Sequence, residues 1–193
     1  MAHPSARDRV LAAAGTCFYR DGLDRTTMQD IAAEADAALG TVYAHFGSKE
    51  QLVGAYLQDR DRAWARAWDD AVSAATTPAA AVLAVFDALQ GRADVMRADR
   101  GCAEQAVLHQ VGEDHAAREV ARSHKAAMVQ RIARSLEGLV EDPAATAVTI
   151  HLLVEGALAA SVTGAVTEPF HAARAAAAAL IGGERAEDDA AGA

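Results

Sequence analysis

The segment TTMQDIAAEADAALGTVYAHFGSKEQL, residues 26–52, decides the fold of this chain. It contains two short helical patterns joined by a tight connection, followed by the start of a longer helix. Thr26 and Gln29 have the spacing of a capping box, which predicts that the first helix begins at the next residue. Ser48 and Gln51 repeat this spacing, so a further helix is predicted to begin directly after Ser48.

Apolar residues inside this segment recur with a helical period. In the first helix the positions i, i+3, i+4 and i+7 are Met28, Ile31, Ala32 and Ala35. The pattern stops around Asp36, and a shorter helical segment follows from Leu39 to His45. Val42 and Phe46 are predicted to face the core. Two short helices around a tight turn, the second too short to bury much apolar surface by itself, are typical of a helix-turn-helix motif.

These residues also carry a resemblance to a known family. The run GTVYAHFGSKEQL, with TTMQDIA before it, closely resembles the DNA-binding region of the TetR family of bacterial transcriptional regulators. The resemblance covers about Val10 to Leu57, and beyond it only the helical layout and the length agree. It implies a three-helix DNA-binding domain followed by a helical bundle that binds a small molecule and dimerises. It also implies a ligand-responsive regulator, most simply a repressor, and not an enzyme.

Position and resemblance together give a set of candidate DNA-contacting residues. Hydroxyls and free N–H groups at the start of the first short helix favour phosphate, which points to Thr26 and Thr27. The resemblance places most of the second short helix toward double-stranded DNA, and Lys49 toward phosphate. The full set of expected DNA-binding residues is Thr26, Thr27, Ala38, Leu39, Gly40, Thr41, Tyr43, His45 and Lys49.

The turn of the motif departs from the family pattern. Family members usually read Ala-Gly-Val-Ser here, whereas residues 35–38 of this chain are Ala, Asp, Ala and Ala. Asp36 reaches positive φ less easily than glycine does, so a strained turn is expected. Ala38 lacks the hydroxyl that would cap the second short helix and contact phosphate.

Composition supports an all-α fold. The hydrophobic share of 52% is raised by alanine, and there are only four prolines in 193 residues. No alternating strand pattern or internal repeat is present in the sequence. About nine helices are predicted, with a DNA-binding domain over residues 1–50 (motif about 27–46), a ligand-binding and dimerisation domain over 51–183, and a disordered acidic tail over 184–193.

The charge is unusual for a DNA-binding protein. The chain has a net charge of −9, and residues 1–50 carry five basic and seven acidic side chains, a net charge of −2. Charge balance alone argues against a nucleic-acid partner. The ordered motif outweighs it, because affinity depends on the face that the charges occupy. We therefore expect weak non-specific binding and a strong dependence on a good operator.

The rest of the chain reads as a helical bundle with two expected surfaces. The family layout places an effector pocket around Trp64, Trp68, Phe86, Met96, Cys102, Gln105, Met128, His151 and Glu155. The apolar and aromatic residues of this region favour a small apolar or aromatic effector, although Trp64 and Trp68, one turn apart, are more typical of core anchors. Residues 147–166 are apolar nearly all round, which predicts burial against both the core and a second subunit. The homodimer interface is expected to include Leu152, Gly156, Ala159, Ala160, Phe170, Ala173 and Ala177.

Other classes of function have weaker support. His151 and Glu155 within the apolar helix argue against a membrane span, and the N-terminus lacks the apolar core of a signal peptide, so a cytoplasmic protein is expected. Three His/Glu pairs at i, i+4 could each supply two metal ligands: His109 with Glu113, His115 with Glu119, and His151 with Glu155. No third ligand is recognisable, so no metal or other cofactor is expected. A helical ligand-binding or interaction protein with an impaired DNA-binding motif remains an alternative, and a metal-assisted enzyme is a third.

Overall fold

This computed structural model describes residues 4–92 and 103–191. In these residues every regular element is an α-helix, and loops and turns join the helices. The prediction of an all-α protein is therefore confirmed. The helices in that part are α1 (Ala6–Asp21), α2 (Met28–Glu34), α3 (Leu39–Phe46), α4 (Lys49–Ser73), α5 (Pro78–Arg92), α6 (Ala103–Gln110), α7 (Ala116–Leu136), α8 (Pro143–Thr163) and α9 (Pro169–Ala191).

Two compact units divide the chain. Unit one comprises Met1–Arg62 and Ala103–Ser123, and unit two comprises Ala63–Cys102 and His124–Ala193. The boundary predicted at residue 50 therefore falls inside unit one. α6 and the first turns of α7 belong to unit one because Val107 and Ala117 are buried in the same apolar cluster as α1–α3. Nothing in the sequence pattern links these segments, which lie about sixty residues apart.

Unit one is built around a stripe on α1. The buried residues of that helix recur on one face, and they pack with apolar residues of α2, α3 and the start of α4. The principal members of this core are Val10, Ala14, Cys17, Phe18, Ile31, Val42, Phe46, Leu52 and Leu57. Phe18 and Tyr56 meet edge to face with ring centroids 5.5 Å apart.

Unit two has a larger apolar core. It is filled by one face each of α5, α7, α8 and α9 together with Trp68, and its largest members include Phe86, Leu89, Met128, Ile132, Leu136, Ile150, Val154 and Leu158. Thr77 caps α5, where its hydroxyl oxygen accepts the Ala80 N–H at 3.1 Å. Asp142 caps α8 through the Ala144 and Ala145 N–H groups. Both caps precede a proline at the first helical position, where the fixed φ of proline suits the helix and no helical N–H is lost.

The end of the chain differs from its prediction. α9 continues to Ala191, so residues 184–191, predicted to be a disordered acidic tail, are helical. The segment is rich in alanine and glutamate, which have high helix propensity, and a helix can therefore continue without an apolar face to bury.

Among the described helices of 18 or more residues, α8 is the most apolar. By length and composition it could cross a membrane, and a third of its most apolar window (33%) is buried within the chain. The sequence predicts that this helix packs against both its own core and a second subunit. Its inner residues, including Ile150 and Val154, do lie in the core of unit two.

Candidate nucleic-acid interface

α2 begins one residue later than predicted. The capping box joins Thr27 and Asp30, not Thr26 and Gln29: the Asp30 N–H donates to Thr27 Oγ1 at 3.2 Å, and the Thr27 N–H donates to Asp30 Oδ2 at 2.8 Å. The Thr27 hydroxyl also donates to Asp30 Oδ2 at 2.7 Å. These hydrogen bonds hold the pKa of the Asp30 carboxyl below its usual range. Thr27 is exposed at the helix start, where a phosphate could approach.

Thr26 has a structural role, which corrects its assignment as a phosphate contact. Its side chain is 1% exposed. The hydroxyl donates to the Gly22 carbonyl oxygen at 2.7 Å and lies 3.2 Å from the Cys17 carbonyl oxygen. Thr26 therefore stabilises the loop after α1 through hydrogen bonds on its buried side. Its neighbour Thr27 is the threonine that faces solvent.

The turn between α2 and α3 confirms the expected positive φ at Asp36. Its φ is 48°, in the left-handed region. The Ala37 N–H donates to the Ala32 carbonyl oxygen at 3.0 Å, a bond that closes helix ends of the Schellman type. Ala38 is the N-cap of α3 and makes no side-chain cap hydrogen bond. Both departures from the family pattern therefore have the local consequences that the sequence predicts, and the turn still forms.

α3 has a buried face and an outward face. Val42 and Phe46 are buried in the core of unit one, as predicted. On the opposite side Leu39 is 38% exposed and Tyr43 is 47% exposed. Gly40 and His45 are also exposed, and Thr41 is half-buried. A Cβ atom at Gly40 would meet no atom within 4 Å, so the space beside this backbone is open to a partner.

The acidic residues near the motif are largely occupied by local contacts. Glu34 pairs with Arg20 at 3.2 Å, and Arg20 also pairs with Asp21 at 3.0 Å. Asp30 belongs to the capping box. α3 itself carries no acidic residue, and the next helix begins with Lys49, which is half-buried. The net charge of residues 1–50 therefore understates how well the outward face of α3 suits a polyanion.

The expected effector residues lie mainly inside unit two. Trp68, Phe86 and Met128 are buried in its core, and Trp64 packs against it. The Arg131 guanidinium stacks 4.1 Å from the centroid of the Trp68 ring and pairs with Asp69 at 2.8 Å. Trp68 is therefore a core anchor. Met96 and Cys102 lie outside the described residues, as does the side chain of Gln105.

A polar cluster sits beside this core. Lys125 Nζ lies 2.6 Å from Glu155 Oε1, and both side chains are about four-fifths buried, with 18% and 20% exposed. His151 Nε2 is 3.9 Å from the same oxygen, and its buried Nδ1 has no hydrogen-bond partner. Burial lowers the pKa of His151; Lys125 and His124 act in the same direction, whereas Glu155 opposes them. Sequence periodicity identified His151 and Glu155 but missed Lys125, which comes from another helix.

The other His/Glu pairs do not converge on a metal. His115 Nδ1 accepts the Ala117 N–H at 3.1 Å, and Glu119 pairs with Arg122 at 2.6 Å. Among the described residues, no group of three His, Cys, Asp or Glu side chains is placed to hold a metal ion. A metal-assisted enzyme therefore gains no support from these pairs.

The predicted dimer residues separate into two groups. Leu152, Gly156 and Ala159 are exposed on α8, while Ala160 and Phe170 are half-buried. Ala173 and Ala177 are buried in the core of the same chain, which corrects their assignment to an intersubunit face. They follow one another at i, i+4 on the side of α9 that packs inward, so the exposed side of α9 carries other residues.

Two short helices, α2 and α3, pack around a tight turn and against α1, and the outward face of α3 carries no acidic residue. This arrangement defines a helix-turn-helix domain of the nucleic-acid-binding class. A family model described as bacterial regulatory proteins, tetR family, matches residues 10–56. The chain is 47% identical over 55 residues to the HTH-type transcriptional repressor KstR2 of Mycolicibacterium smegmatis, and this alignment covers 28% of this chain and 27% of that protein. It is 43% identical over 51 residues to the HTH-type transcriptional regulator TtgR of Pseudomonas putida, 26% of this chain and 24% of that protein.

Solved structures extend the similarity beyond this segment. SCO4454, a TetR-family transcriptional regulator from Streptomyces coelicolor, superposes with a TM-score of 0.76 at 25% identity over 92% of this chain and 93% of that one. A TetR-type regulator (sav143) from Streptomyces avermitilis gives a TM-score of 0.70 at 26% identity over 90% and 98% of the two chains. Residues 10–56 therefore match the TetR family of bacterial regulatory proteins, and about nine-tenths of the chain shares its fold with solved TetR-family regulators. The sequence matches span only about a quarter of the curated relatives just named.

Proposed function

We propose that this protein is a transcriptional repressor that binds a near-palindromic DNA operator as a homodimer in the cytoplasm. The outward face of α3 carries this proposal, because Leu39 and Tyr43 are exposed beside an open Gly40 while Val42 and Phe46 fix the helix from behind. The relative from Mycolicibacterium smegmatis is itself named a repressor. In such a dimer the two recognition helices enter successive major grooves, about 34–36 Å apart.

Individual residues have separate roles in this proposal. Tyr43 donates its hydroxyl to phosphate, Thr41 contacts phosphate or a thymine methyl group, and Gly40 admits the DNA backbone. Thr27 and Lys49 contact phosphate at the edges of the motif. Leu39, His45 and the main chain at Ala38 complete the DNA-facing surface.

The homodimer forms through the exposed side of α8. Leu152 is 64% exposed, the largest exposed fraction among the large apolar side chains of the described chain, and Val148 is exposed one turn before it. Gly156 and Ala159 continue this side with small residues that allow close approach of a second helix. Large exposed apolar surfaces of this kind mark contacts with another protein chain.

A small apolar or aromatic effector binds in unit two and releases the operator. The buried aromatic and aliphatic side chains around Trp64 and Phe86 provide apolar contacts, and the cluster of Lys125, His151 and Glu155 provides polar ones. The buried Nε1 of Trp64 and Nδ1 of His151 have no hydrogen-bond partner, and each would gain one from a ligand. Coupling between such sites is typically about 1–3 kcal/mol, which lowers operator affinity about 5- to 150-fold.

The experiment that tests this function is selection of genomic fragments by the purified protein. The best fragment is then titrated by fluorescence anisotropy across a salt series. We expect enrichment of an inverted repeat, bound by dimers, with a linear decrease of log affinity against log salt. A protein that enriches no fragment even at low salt would contradict the proposal.

That negative outcome would favour a second function. A helical ligand-binding or interaction protein with an impaired DNA-binding motif is supported by the positive φ of Asp36, the uncapped Ala38 and the acidic balance. Such a protein would form the same dimer without specific DNA binding at any salt concentration.

A further inference from the structure

The connection between α6 and α7, residues 111–115, is fixed internally by one arginine. Arg118 Nε donates to the Gly112 carbonyl oxygen at 3.1 Å, and a terminal guanidinium nitrogen donates to the Leu108 carbonyl oxygen at 3.2 Å. These carbonyls lie at and just beyond the end of α6, where no helical N–H remains for them. These hydrogen bonds therefore brace the connection, named here the α6–α7 turn, against the first turn of α7 and the end of α6.

Two side chains attach this region to the helix-turn-helix part of unit one. Gln110 Oε1 accepts the backbone N–H of Leu23, in the loop between α1 and α2, at 2.8 Å. Glu50 Oε1, in the first turn of α4, accepts the N–H of Ala116 at 3.1 Å. Ala116 is the first residue of α7, so Glu50 supplies one of the acceptors that this helix start lacks.

Gly22 allows the contact of Gln110. It ends α1 with a φ of 85°, and a Cβ atom there would lie 3.2 Å from Gln110 Oε1. A side chain at this position would make the Gln110 amide shift by a few tenths of an ångström. Glycine is therefore favoured both by the positive φ and by the close approach of Gln110.

Packing between these segments is incomplete. A cavity of about 240 Å³ lies between them, lined on its apolar side by Leu23, Val53 and Val111, and Glu50 and Gln110 also line it. The segments also share the apolar core that contains Val107 and Ala117, but apolar contacts are not directional, whereas hydrogen bonds fix the relative position of the groups that they join. Here the two hydrogen bonds hold the loop and the start of α4 against the α6–α7 turn.

We propose that Gln110 and Glu50 are positioning residues for DNA binding, an inference that rests on the proposed function. Gln110 fixes the loop that leads to Thr27, and Glu50 fixes the first turn of α4 beside Lys49. Thr27 and Lys49 are the residues to which the proposed function assigns phosphate contacts. Neither positioning residue needs to contact DNA, because each acts by holding the backbone that carries a contacting residue.

The first test removes the acceptor at residue 110 without changing charge. Gln110→Met keeps the length of the side chain, and Gln58→Met, at an exposed position of α4 in the same unit, is the matched control. We expect Gln110→Met to bind the selected operator about fivefold more weakly per DNA-binding domain, the usual effect of one lost hydrogen bond. Hydrogen exchange of the Leu23 amide, followed by NMR, should become faster only in Gln110→Met.

The second test separates the acceptor at residue 50 from its charge. Glu50→Gln and Glu50→Met both remove a negative charge near DNA, but only Gln keeps an oxygen for the Ala116 N–H. We expect Glu50→Met to bind operator about fivefold more weakly than Glu50→Gln and to exchange the Ala116 amide faster. Circular dichroism and sedimentation at the assay temperature verify that every variant is folded and has the oligomeric state of the wild type.

The outcomes distinguish this inference from the proposed function. If the wild type binds operator, and Gln110→Met and Glu50→Met bind as tightly as their matched variants, the positioning role is overturned while the repressor proposal stands. Faster amide exchange without any loss of operator affinity would likewise reduce both side chains to a structural role. A wild type that binds no operator would overturn the proposed function, and the positioning role with it.

Discussion

α3 and α8 both expose large apolar side chains, but their exposed faces differ in composition. On α3, Leu39 and Tyr43 stand beside an open glycine, a histidine and a threonine. On α8, the exposed positions from Ala144 to Thr163 carry no charged side chain, and Val148 and Leu152 are followed by small residues. A mixed, short face suits the groove and phosphates of DNA, whereas a continuous apolar face suits another protein chain.

The largest expected effect comes from breaking the apolar face of α8. Leu152→Glu would bring a carboxylate from each subunit into the interface without a partner. We expect the dimer dissociation constant to rise at least about a hundredfold, with operator affinity falling as dimers are lost. Sedimentation velocity over a concentration series measures this. Ala127→Glu, at an exposed position of α7 in the same unit, is the control and should remain dimeric.

A smaller effect is expected from the ion pair on the inner side of α8. Lys125→Met leaves Glu155 largely buried without its 2.6 Å partner, so we expect a loss of about 2 kcal/mol in the free energy of unfolding. The double variant Lys125→Met/Glu155→Met removes both charges and should recover part of that loss. Urea titration gives both values. Equal stability of the single and double variants would show that loss of the Lys125 charge beside the Glu155 carboxylate is not the cause.

On α3 we expect an effect on DNA without an effect on the fold. Tyr43→Ala should weaken operator binding about tenfold and leave the dimer intact, because the side chain is exposed and makes no core contact. Tyr43→Phe isolates the hydroxyl. Because neither substitution removes a Lys or Arg side chain that displaces counterions from phosphate, the slope of log affinity against log salt should not change in either variant. A Tyr43→Ala variant with wild-type affinity would remove Tyr43 from the interface.

The smallest expected effect concerns the strained turn. Asp36→Gly should raise the free energy of unfolding by about 0.5 kcal/mol, since glycine adopts positive φ without steric cost but is more flexible when unfolded. Glu168, with a φ of 52°, is the other non-glycine residue of the described chain in this region of backbone space. Glu168→Gly should give a similar gain, and only Asp36→Gly should also alter operator affinity. Thermal unfolding and anisotropy measure the two quantities.

Local signals in the sequence predicted most of unit one. Capping residues, the apolar period and the resemblance gave α2, α3 and the outward position of Tyr43, because these depend on residues close together in the chain. The capping box was misplaced by one residue because adjacent threonines offer two similar spacings, and only tertiary contacts show that Thr26 faces inward. In unit two, periodicity identified apolar residues such as Ala173 but could not say whether the core of the same chain or a partner covers them.

Long-range hydrogen bonds were beyond sequence reasoning altogether. Gln110 and Leu23 are 87 positions apart, and Glu50 and Ala116 are 66 apart. A glutamine at a helix end, such as Gln110, and a glutamate in a first helical turn, such as Glu50, are common surface residues, so their positions alone do not predict a tertiary contact. Their significance comes from the fold, which places α6 and the start of α7 in unit one.

Because Cys17 is completely buried, the reactivity of its thiol can report how often unit one opens. Its side chain is 0% exposed in the core between α1 and its neighbours. Burial raises the pKa of the thiol, an effect that the nearby Arg20 only partly offsets, so the reactive thiolate is scarce. An alkylating reagent can therefore modify Cys17 only when the core separates. The rate of its labelling, followed by mass spectrometry with and without operator, would measure how often this domain opens and how far DNA keeps it closed.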